Sequence, residues 1–410
     1  MSIAQQPKDY QILFLDMNSF FASVEQQVQP TLRGIPLGVA PYTGDTGCII
    51  AASYEAKAMG IKICRVGEAK KIYPRIKILE ARPALYMIYH KEIKKVIEKF
   101  TPFYQALSID EFAIRLSPRE QNYEESVALA LKLKQAIKEE VGDYLKCSIG
   151  IGPSIFLAKM AGESQKPDGL TVLTLSKLKD FYNGLSKLRD LTGINFKLEE
   201  RLQKFGVDSP ASLFSFSLSD LTSILKHWGR LWYFRLRGYD VDDYVIKTKT
   251  IGHSHVLPPE FRTKEGAISI LKKLIQKTGF RLRKEGYSAA GIAVGIQFID
   301  RGSFHLSRSI PSFSGNQTFV DTVGDMLKKC HWQSRPIYVS ISTFNLVKNA
   351  GKQVSIFEDI EKSKNLSKVL DDLNDDFGAG TIFPASVFLA MNSAPDRIPF
   401  GAPRYDILND

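Results

Sequence analysis

Cysteine and histidine are scarce in this chain of 410 residues, which has four of the first and six of the second. The cysteines are Cys48, Cys64, Cys147 and Cys330. They form no CxxC pair, which argues against a disulfide framework and against a zinc site. No run of eighteen apolar residues occurs, so no membrane-spanning helix is expected. The first ten residues lack the basic and apolar regions of a signal peptide, and we therefore expect a cytoplasmic protein.

Negative charge is also in deficit. Lys and Arg number 55 against 44 Asp and Glu, a net charge of +11. The surplus is uneven: +8 over 251–348, +4 over 175–250, and −4 over 349–410. A basic surface of this kind suits a polyanion such as nucleic acid, although charge alone leaves open a merely soluble basic protein.

The length predicts two to four domains. Up to 174, helix-like and strand-like segments alternate around acidic strands, which predicts an α/β sheet with helices on one side. The stretch 175–241 is rich in helix patterns. The stretch 251–348 predicts four strands and two helices, enough for a small independent domain. The charged stretch 240–249 between them is typical of a linker.

Two acidic islands interrupt apolar, strand-like sequence. Asp16 follows ILFL, and Asp110 and Glu111 stand between an isoleucine and a phenylalanine. Buried carboxylates are usually paired or bound to metal, and three hard oxygen ligands suit Mg²⁺. A regular strand would send Asp110 and Glu111 to opposite faces, so both reach one site only at a turn such as a hairpin tip. Solvated strand-end acids are the alternative reading.

Four motifs occur in order: FLDMNSFFASVE, CIIAASYEAKAMGIK, SIDEF and SIGIGPSIFLAKMAGESQKPDG. With them the chain resembles the Y-family translesion DNA polymerases of the bacterial DNA polymerase IV and polymerase V type, over nearly its whole length. The resemblance implies a multidomain α/β fold shaped as a right-hand polymerase. The implied parts are a palm (1–25 and 86–174), fingers (26–85), a helical thumb (175–241), a linker (242–250), an α/β little finger (251–348) and a tail (349–410).

The same resemblance implies a catalytic site. Asp16, Asp110 and Glu111 would hold two Mg²⁺ ions together with the backbone carbonyl of Met17. The family often has a second aspartate where this chain has Asn18, at a position that is not a principal ligand. Phe21 matches the steric gate that leaves no room for a ribose 2′-hydroxyl. Phe20, beside it in the nucleotide-binding segment, is assigned to core packing.

Phosphate-binding residues are implied next. Tyr54 and Lys57 lie three apart on one helix face, where the family commonly has YxxR. Lysine neutralises phosphate as a point charge but lacks the bidentate fork of arginine. Lys166, in QKPDG, matches a second phosphate-contacting lysine. Lys159 is a weaker candidate and equally fits a solvated helix residue.

DNA and clamp contacts complete the implied set. Gly193, Ile194 and Asn195 match the hairpin of a helix–hairpin–helix, which holds a DNA phosphate on backbone N–H groups. Asn195 replaces a glycine and is expected to tolerate left-handed backbone angles, although a purely structural turn is an alternative. The little-finger candidates for phosphate contacts are Arg281, Arg283, Lys284, Arg301 and Arg308. The segment 353–357, QVSIF, resembles a sliding-clamp-binding pentapeptide, with Gln353, Ile356 and Phe357 as its anchors; an ordinary strand end is the alternative.

The expected function is therefore template-directed addition of dNTPs to a primer on primer–template DNA, by two-metal phosphoryl transfer and without proofreading. The protein is expected to be monomeric, to bind the bacterial sliding clamp and to have no membrane partner. One alternative is a non-catalytic, polymerase-like scaffold that binds DNA and the clamp. Another is a different two-metal enzyme, such as a nucleotide cyclase, on a similar palm. Retention of Asp16, Asp110 and Glu111 favours catalysis over the scaffold.

Overall fold

The computed structural model describes residues 6–241, 249–348, 360–378, 380–391 and 393–394. The chain divides into two compact units, the first ending at 245 and the second running from 246 to 397. Each unit has a hydrophobic core of its own. No helix in the described ranges combines the length and the apolar character needed to cross a membrane.

The first unit begins with the α/β part of the chain. Its elements are, in chain order, β1 (Ile12–Met17), α1 (Phe20–Val28), β2 (Leu37–Ala40), β3 (Ala51–Ala52), α2 (Tyr54–Ala58), α3 (Val66–Ile72), β4 (Lys77–Glu80), α4 (Pro83–Phe100), β5 (Tyr104–Ala106), β6 (Glu111–Arg115), α5 (Tyr123–Glu140), β7 (Cys147–Gly152), α6 (Ile155–Ser164) and β8 (Leu170–Val172).

Five of these strands form the main sheet, in the order β5-β6-β1-β7-β8. The central strand β1 pairs antiparallel with β6 on one side and with β7 on the other. Every residue of β1 is buried, as expected of a central strand covered on both faces. A second sheet of three short strands, β3-β2-β4, belongs to the segment expected to form the fingers, where α2 and α3 cover a small core.

The two faces of the main sheet are covered differently. Leu13, Leu15 and Met17 point into the large core shared with α4 and α5. Ile12 and Phe14 point the other way, where α6 lies across β1 and β7. The prediction of helices on one side only was therefore wrong. A Cβ on Gly150 of β7 would stand 1.9 Å from the carbonyl oxygen of Ala158, so α6 approaches the sheet as closely as a glycine permits.

The rest of the first unit is helical. It comprises α7 (Leu178–Asn183), α8 (Phe196–Gln203), α9 (Pro210–Ser215), α10 (Leu218–Leu225) and α11 (His227–Leu236). These helices pack around buried Tyr182 and Trp232, in a core that also takes in Phe156, Leu157 and Met160 of α6. The helix-rich segment is thereby joined to the sheet through the helix that covers the sheet's second face.

The second unit is an α/β domain. Its elements are β9 (Thr250–Val256), α12 (Lys264–Lys284), β10 (Tyr287–Phe298), β11 (Ser303–Phe313), α13 (Asn316–Leu327), β12 (Pro336–Lys348) and α14 (Ile360–Phe377). The strands form one antiparallel sheet in the order β11-β10-β12-β9. Over 251–348 this matches the four strands and two helices that the sequence patterns predict.

The segment after the second sheet also belongs to this unit. Asp371 of α14 makes a two-pronged ion pair with Arg283 of α12, with one contact of 2.8 Å. Farther on, Lys277 donates to the carbonyl of Ala394 at 2.9 Å, and Ala390 is fully buried in the domain core. Helix α14 is therefore anchored to the domain at Asp371, although Asp372 beside it is exposed.

Candidate active site

The β1–β6 register brings the two acidic islands together. Asp16 lies directly opposite Glu111 in the antiparallel pair, so the two side chains share one face of the sheet. The next contact along is the backbone N–H of Met17, which donates to the carbonyl of Asp110 at 2.9 Å. The family resemblance implied that these residues share a site, and the register of the β1–β6 pair explains why they lie close together.

Asp110 is placed by a turn. The N–H of Leu107 donates to the carbonyl of Glu111 at 2.9 Å, closing the β5–β6 hairpin, and β6 begins at Glu111. The Ser108 hydroxyl donates to the Asp110 carboxylate and accepts from its N–H. The hairpin tip required for both acids to serve one site is therefore present.

Two lysines neutralise these acids. Lys166 lies 2.8 Å from Asp16 and also 2.8 Å from Glu163, and Lys159 of α6 pairs with Glu111. Burial raises the pKa of Asp16 to about 7 despite the Lys166 ammonium, and burial likewise raises the pKa of Asp110. Four carboxyl groups, those of Asp16, Asp110, Glu111 and Glu163, therefore face two lysines.

That imbalance suits a divalent cation. All three side chains offer hard oxygens, the ligand type of Mg²⁺. Asp16 and Glu111 face each other across the β1–β6 pair, and Asp110 lies in the adjoining turn. Among the described residues no three His, Cys, Asp or Glu side chains converge as a finished metal cage. Asp16 and Glu111 each pair with a lysine, which a metal bound at these carboxylates would have to displace.

Phe21 lies at the start of α1 and packs against Tyr86 of α4. The Tyr86 hydroxyl donates to Glu25 at 2.8 Å, and Arg82 makes a two-pronged ion pair with the same carboxylate. Glu25 is only 3% exposed, so its charge is balanced inside the protein. Phe20 is 2% exposed and lies in the core, as the sequence assigned it.

The helix pair Tyr54 and Lys57 faces the start of α1. Lys57 donates to the Ser19 hydroxyl at 2.7 Å, and its ammonium lies 4.6 Å from the centre of the Tyr54 ring. Ser19 has a left-handed φ of 50° and precedes the first turn of α1. Burial, together with the charge of Lys166, lowers the pKa of Lys57. The structure thus brings the positions expected to bind phosphate to one side of the carboxylates.

His90 is a site neighbour that sequence reasoning missed. It is fully buried in α4, its Nδ1 lies 2.6 Å from the carbonyl of Ile109, and its ring stacks on Phe112 at 5.1 Å. Since a carbonyl only accepts, Nδ1 carries a proton and donates. His90 therefore buttresses the turn that carries Asp110. Its one sequence signal was a lone polar residue on the apolar side of a helix pattern.

The expected DNA-contacting residues fall into different settings. Gly193 has φ of 97°, as a hairpin glycine should. Asn195 is extended, with φ of −94°, and caps α8 by accepting from the N–H of Leu198 at 2.9 Å. The expectation of a left-handed Asn195 was wrong, because a helix N-cap needs extended backbone angles and a side-chain acceptor. Ile194, between them, is buried.

The little-finger arginines also differ. Arg281 pairs with Glu285 at 2.7 Å, and Arg283 is held by Asp371 and by the carbonyl of Ser314. The Arg281 and Arg283 side chains are only 14% and 11% exposed, so both guanidinium groups are engaged within this domain. Arg301 and Arg308 are exposed, the first with φ of 68° in the β10–β11 turn. The clamp candidates Gln353, Ile356 and Phe357 lie outside the described residues.

Comparison with known proteins gives concordant matches. The model of the impB/mucB/samB family matches residues 15–163, and that of the impB/mucB/samB family C-terminal domain matches residues 248–373. The DNA polymerase IV of Moorella thermoacetica is 34% identical over 92% of this chain and 96% of its own length. The DNA polymerase IV of Pelotomaculum thermopropionicum is 33% identical over 91% and 94%.

Solved structures share the fold. A Y-family DNA polymerase chimera of Dbh and Dpo4 has a TM-score of 0.71 at 24% identity, covering 82% of this chain and 99% of its own. The insertion ternary complex of Dbh DNA polymerase has a TM-score of 0.56 at the same identity and coverage. With the carboxylates, their lysines and the family matches in agreement, the chain belongs to the impB/mucB/samB family, the Y-family DNA polymerases.

Proposed function

We propose that this protein adds dNTPs to a primer 3′ end under the direction of a DNA template, with Asp16, Asp110 and Glu111 as its catalytic carboxylates. The observation that carries the proposal is the β1–β6 register, which sets Asp16 opposite Glu111 with Asp110 at the adjoining turn. Translesion synthesis without proofreading, in the cytoplasm and as a monomer, is the form of the activity that we propose.

Two Mg²⁺ ions are part of the proposal. Asp16, Asp110, Glu111 and the Met17 carbonyl would hold them, and when bound they would supply charge neutralisation for the attacking hydroxyl and the leaving pyrophosphate. Lys159 and Lys166 now compensate the carboxylates. Release of the Lys166 ammonium from Asp16 would leave it available for a phosphate oxygen.

Nucleotide selection is assigned to one wall of the site. Tyr54, Lys57 and Lys166 would contact the triphosphate, and the Phe21 ring would exclude a 2′-hydroxyl. The support is geometric: Lys57 is oriented by Ser19, and Phe21 is backed by Tyr86. The Lys57 ammonium would neutralise the phosphate as a point charge, whereas an arginine would make a bidentate contact. Lys57 would therefore constrain the orientation of the triphosphate less than an arginine at this position.

DNA binding is proposed for both units. In the first, the Gly193 hairpin and the N-terminus of α8 would hold a backbone phosphate. In the second, Lys284, Arg301 and Arg308 belong to the region with the largest positive surplus. Contacts of this kind neutralise phosphates without reading bases, so affinity should fall steeply as salt is raised.

Primer extension on an undamaged template tests the catalytic proposal. Mg²⁺-dependent incorporation is expected, and Asp110→Ala should abolish it. Asp143→Ala, which removes an exposed aspartate paired with Arg33, is the matched control and should retain activity. Robust incorporation by Asp110→Ala would refute the site. DNA binding without incorporation by the parent protein would favour the non-catalytic scaffold.

Clamp binding is proposed from the QVSIF sequence at 353–357. Substituting Gln353, Ile356 and Phe357 by alanine should remove clamp-stimulated synthesis and leave synthesis without the clamp unchanged. Replacing Lys362, Lys364 and Lys368 by alanine is the control for effects of any triple substitution in this region of the sequence. Unaltered clamp stimulation in the first variant would rule out this motif.

A further inference from the structure

Asn18 follows β1, two residues after Asp16, and both its backbone N–H and its backbone carbonyl are hydrogen-bonded. Its N–H donates to the carbonyl of Lys146 at 2.8 Å, and its carbonyl accepts from the Ser23 hydroxyl at 2.7 Å. The residue is 1% exposed. Because the backbone of Asn18 is fixed and its side-chain amide is buried, the hydrogen bonds of that amide indicate its structural role.

The Asn18 side chain joins two other parts of the fold. Its Oδ1 accepts from the N–H of Asp168 at 2.7 Å and from the Ser148 hydroxyl at 3.2 Å, and its Nδ2 lies 3.0 Å from the same hydroxyl. The atom facing the Asp168 N–H must be the oxygen, because an N–H only donates. The side-chain oxygen is thus engaged by the Asp168 N–H and the Ser148 hydroxyl, and the side-chain nitrogen, 3.4 Å from the Asp16 carbonyl, is a donor that cannot ligate a metal.

Asp168 is in the loop that carries Lys166, between α6 and β8. Lys134 of α5 holds the same loop from another direction: its ammonium donates to the Asp168 carbonyl at 2.6 Å and lies 2.7 Å from the Asp168 carboxylate. The N–H of Gly169 is directed at the Ser148 hydroxyl at 3.4 Å. Asp168 has φ of 59°, an uncommon value for a residue with a side chain, which these bonds maintain.

We infer that Asn18 is a positioning residue for the incoming nucleotide: it fixes the Lys166 loop, and through it the ammonium that meets the triphosphate, and it binds no metal. The inference rests on the proposed contact between Lys166 and phosphate. It gives Asn18 a role distinct from that of Asp16, although the two residues are only two positions apart in the sequence. An aspartate at this position would keep the oxygen that accepts from Asp168.

A double-mutant cycle on dNTP kinetics tests this role. Asn18→Ala should raise the KM for dNTP about three- to tenfold, the effect of losing one buried hydrogen bond, with a smaller change in kcat. Lys166→Met should raise the same KM. If Asn18 acts through Lys166, the double variant will be no worse than Lys166→Met alone. Asn18→Asp should stay close to the parent.

Two controls separate positioning from damage to the fold. Ser126→Ala removes a buried hydroxyl that bonds within α5, and should leave the KM unchanged. Lys134→Met removes the loop's second anchor and should reproduce the KM increase; it also serves as the test if Asn18→Ala does not fold. Mn²⁺ binding, followed by its paramagnetic signal in the absence of nucleotide, should be unaltered by Asn18→Ala.

The outcomes distinguish the inference from the proposed function. Effects of Asn18→Ala and Lys166→Met that multiply, or weaker Mn²⁺ binding by Asn18→Ala, would overturn the positioning role. An unchanged KM in Asn18→Ala with a raised KM in Lys166→Met would overturn it as well and leave the phosphate role of Lys166 intact. An unchanged KM in Lys166→Met would overturn both the positioning role of Asn18 and the phosphate contact of Lys166.

Discussion

The ring of Tyr86 is stacked on the ring of Phe21, with centroids 4.4 Å apart and planes inclined by 17°. Tyr86 is itself only 1% exposed and hydrogen-bonded to Glu25. The side chain assigned to sugar discrimination therefore has a rigid aromatic surface behind it. A gate can reject a hydroxyl only if it cannot move aside, and here the space into which Phe21 would move is already filled.

Phe21→Ala should admit ribonucleotides. Removing the ring opens space beside the sugar, and the ratio of kcat/KM for dNTP over rNTP should fall by on the order of 10²-fold. Single-nucleotide insertion with matched dNTP and rNTP measures it. Unchanged sugar discrimination would reject Phe21 as the gate.

Tyr86→Leu should loosen the gate without removing it. The flat stacking surface is lost while Phe21 remains, so sugar discrimination should fall, but less than in Phe21→Ala. Tyr86→Phe is the matched control: it keeps the ring and loses only the hydroxyl bonded to Glu25. The same insertion assay applies, and equal discrimination by the leucine and phenylalanine variants would mean that the stack has no part in selection.

Acid should destabilise the protein through His90. Burial lowers the pKa of His90 to about 4, whereas an unfolded histidine titrates near about 6.5. As pH falls from about 6.5 to about 4, the unfolded chain takes up a proton at this histidine that the folded protein refuses, so His90 lowers the free energy of unfolding by up to about 3 kcal/mol. Asp16, whose pKa burial raises to about 7, takes up its proton in the folded protein over the same range and acts in the opposite direction. Denaturant unfolding across this range, without metal, measures the slope.

His90→Gln should remove this contribution, so the free energy of unfolding of the variant should rise relative to that of the parent, by up to about 3 kcal/mol, as pH falls from about 6.5 to about 4. His227→Gln, which replaces an exposed histidine of α11, is the control and should keep the slope of the parent. A parent-like slope in His90→Gln would show that His90 does not cause the acid sensitivity.

Asp371→Asn should destabilise the second unit by about 2–3 kcal/mol. It leaves the guanidinium of Arg283 partly buried with a weaker partner, and a stranded charge costs more than an exposed ion pair contributes. Asp372→Asn, one residue along α14 and exposed, should change stability by less than about 0.5 kcal/mol. Thermal unfolding of the full chain gives both values, and equal effects would refute the anchoring of α14.

The acidic islands show how far sequence reasoning reaches. The cost of carboxylates in apolar strands singled out Asp16, Asp110 and Glu111, but it left solvated strand-end acids open, and their assignment to one site came from the family resemblance. The requirement for a hairpin tip followed from strand periodicity alone. The lysine pairings could not be identified in this way. Lys159 and Lys166 come from α6 and the loop after it, and the reach of a lysine depends on where its helix packs.

The errors have related causes. Asn195 was expected to be left-handed because asparagine tolerates those angles, but the same side chain is a good N-cap, and only the position where α8 begins decides between them. Arg283 reads as a basic surface residue until Asp371, 88 positions later, is placed beside it. The side on which α6 packs was not predicted, although Gly150, Gly152 and Gly162 allow the close contact between α6 and β7. A glycine indicates a close contact only once the element packed against it is known.

The absence of a side chain at Gly150 helps to determine where Lys159 and Lys166 lie. Its missing side chain lets α6 lie almost on the sheet, and a methyl group there would collide with the Ala158 carbonyl and with the Gly162 nitrogen, 2.3 Å away. Moving the helix outward would carry Lys159 and the loop of Lys166 away from Glu111 and Asp16. An alanine at position 150 would therefore alter the electrostatics of the carboxylates without touching them, because the absence of one methyl group sets the distance between α6 and the sheet.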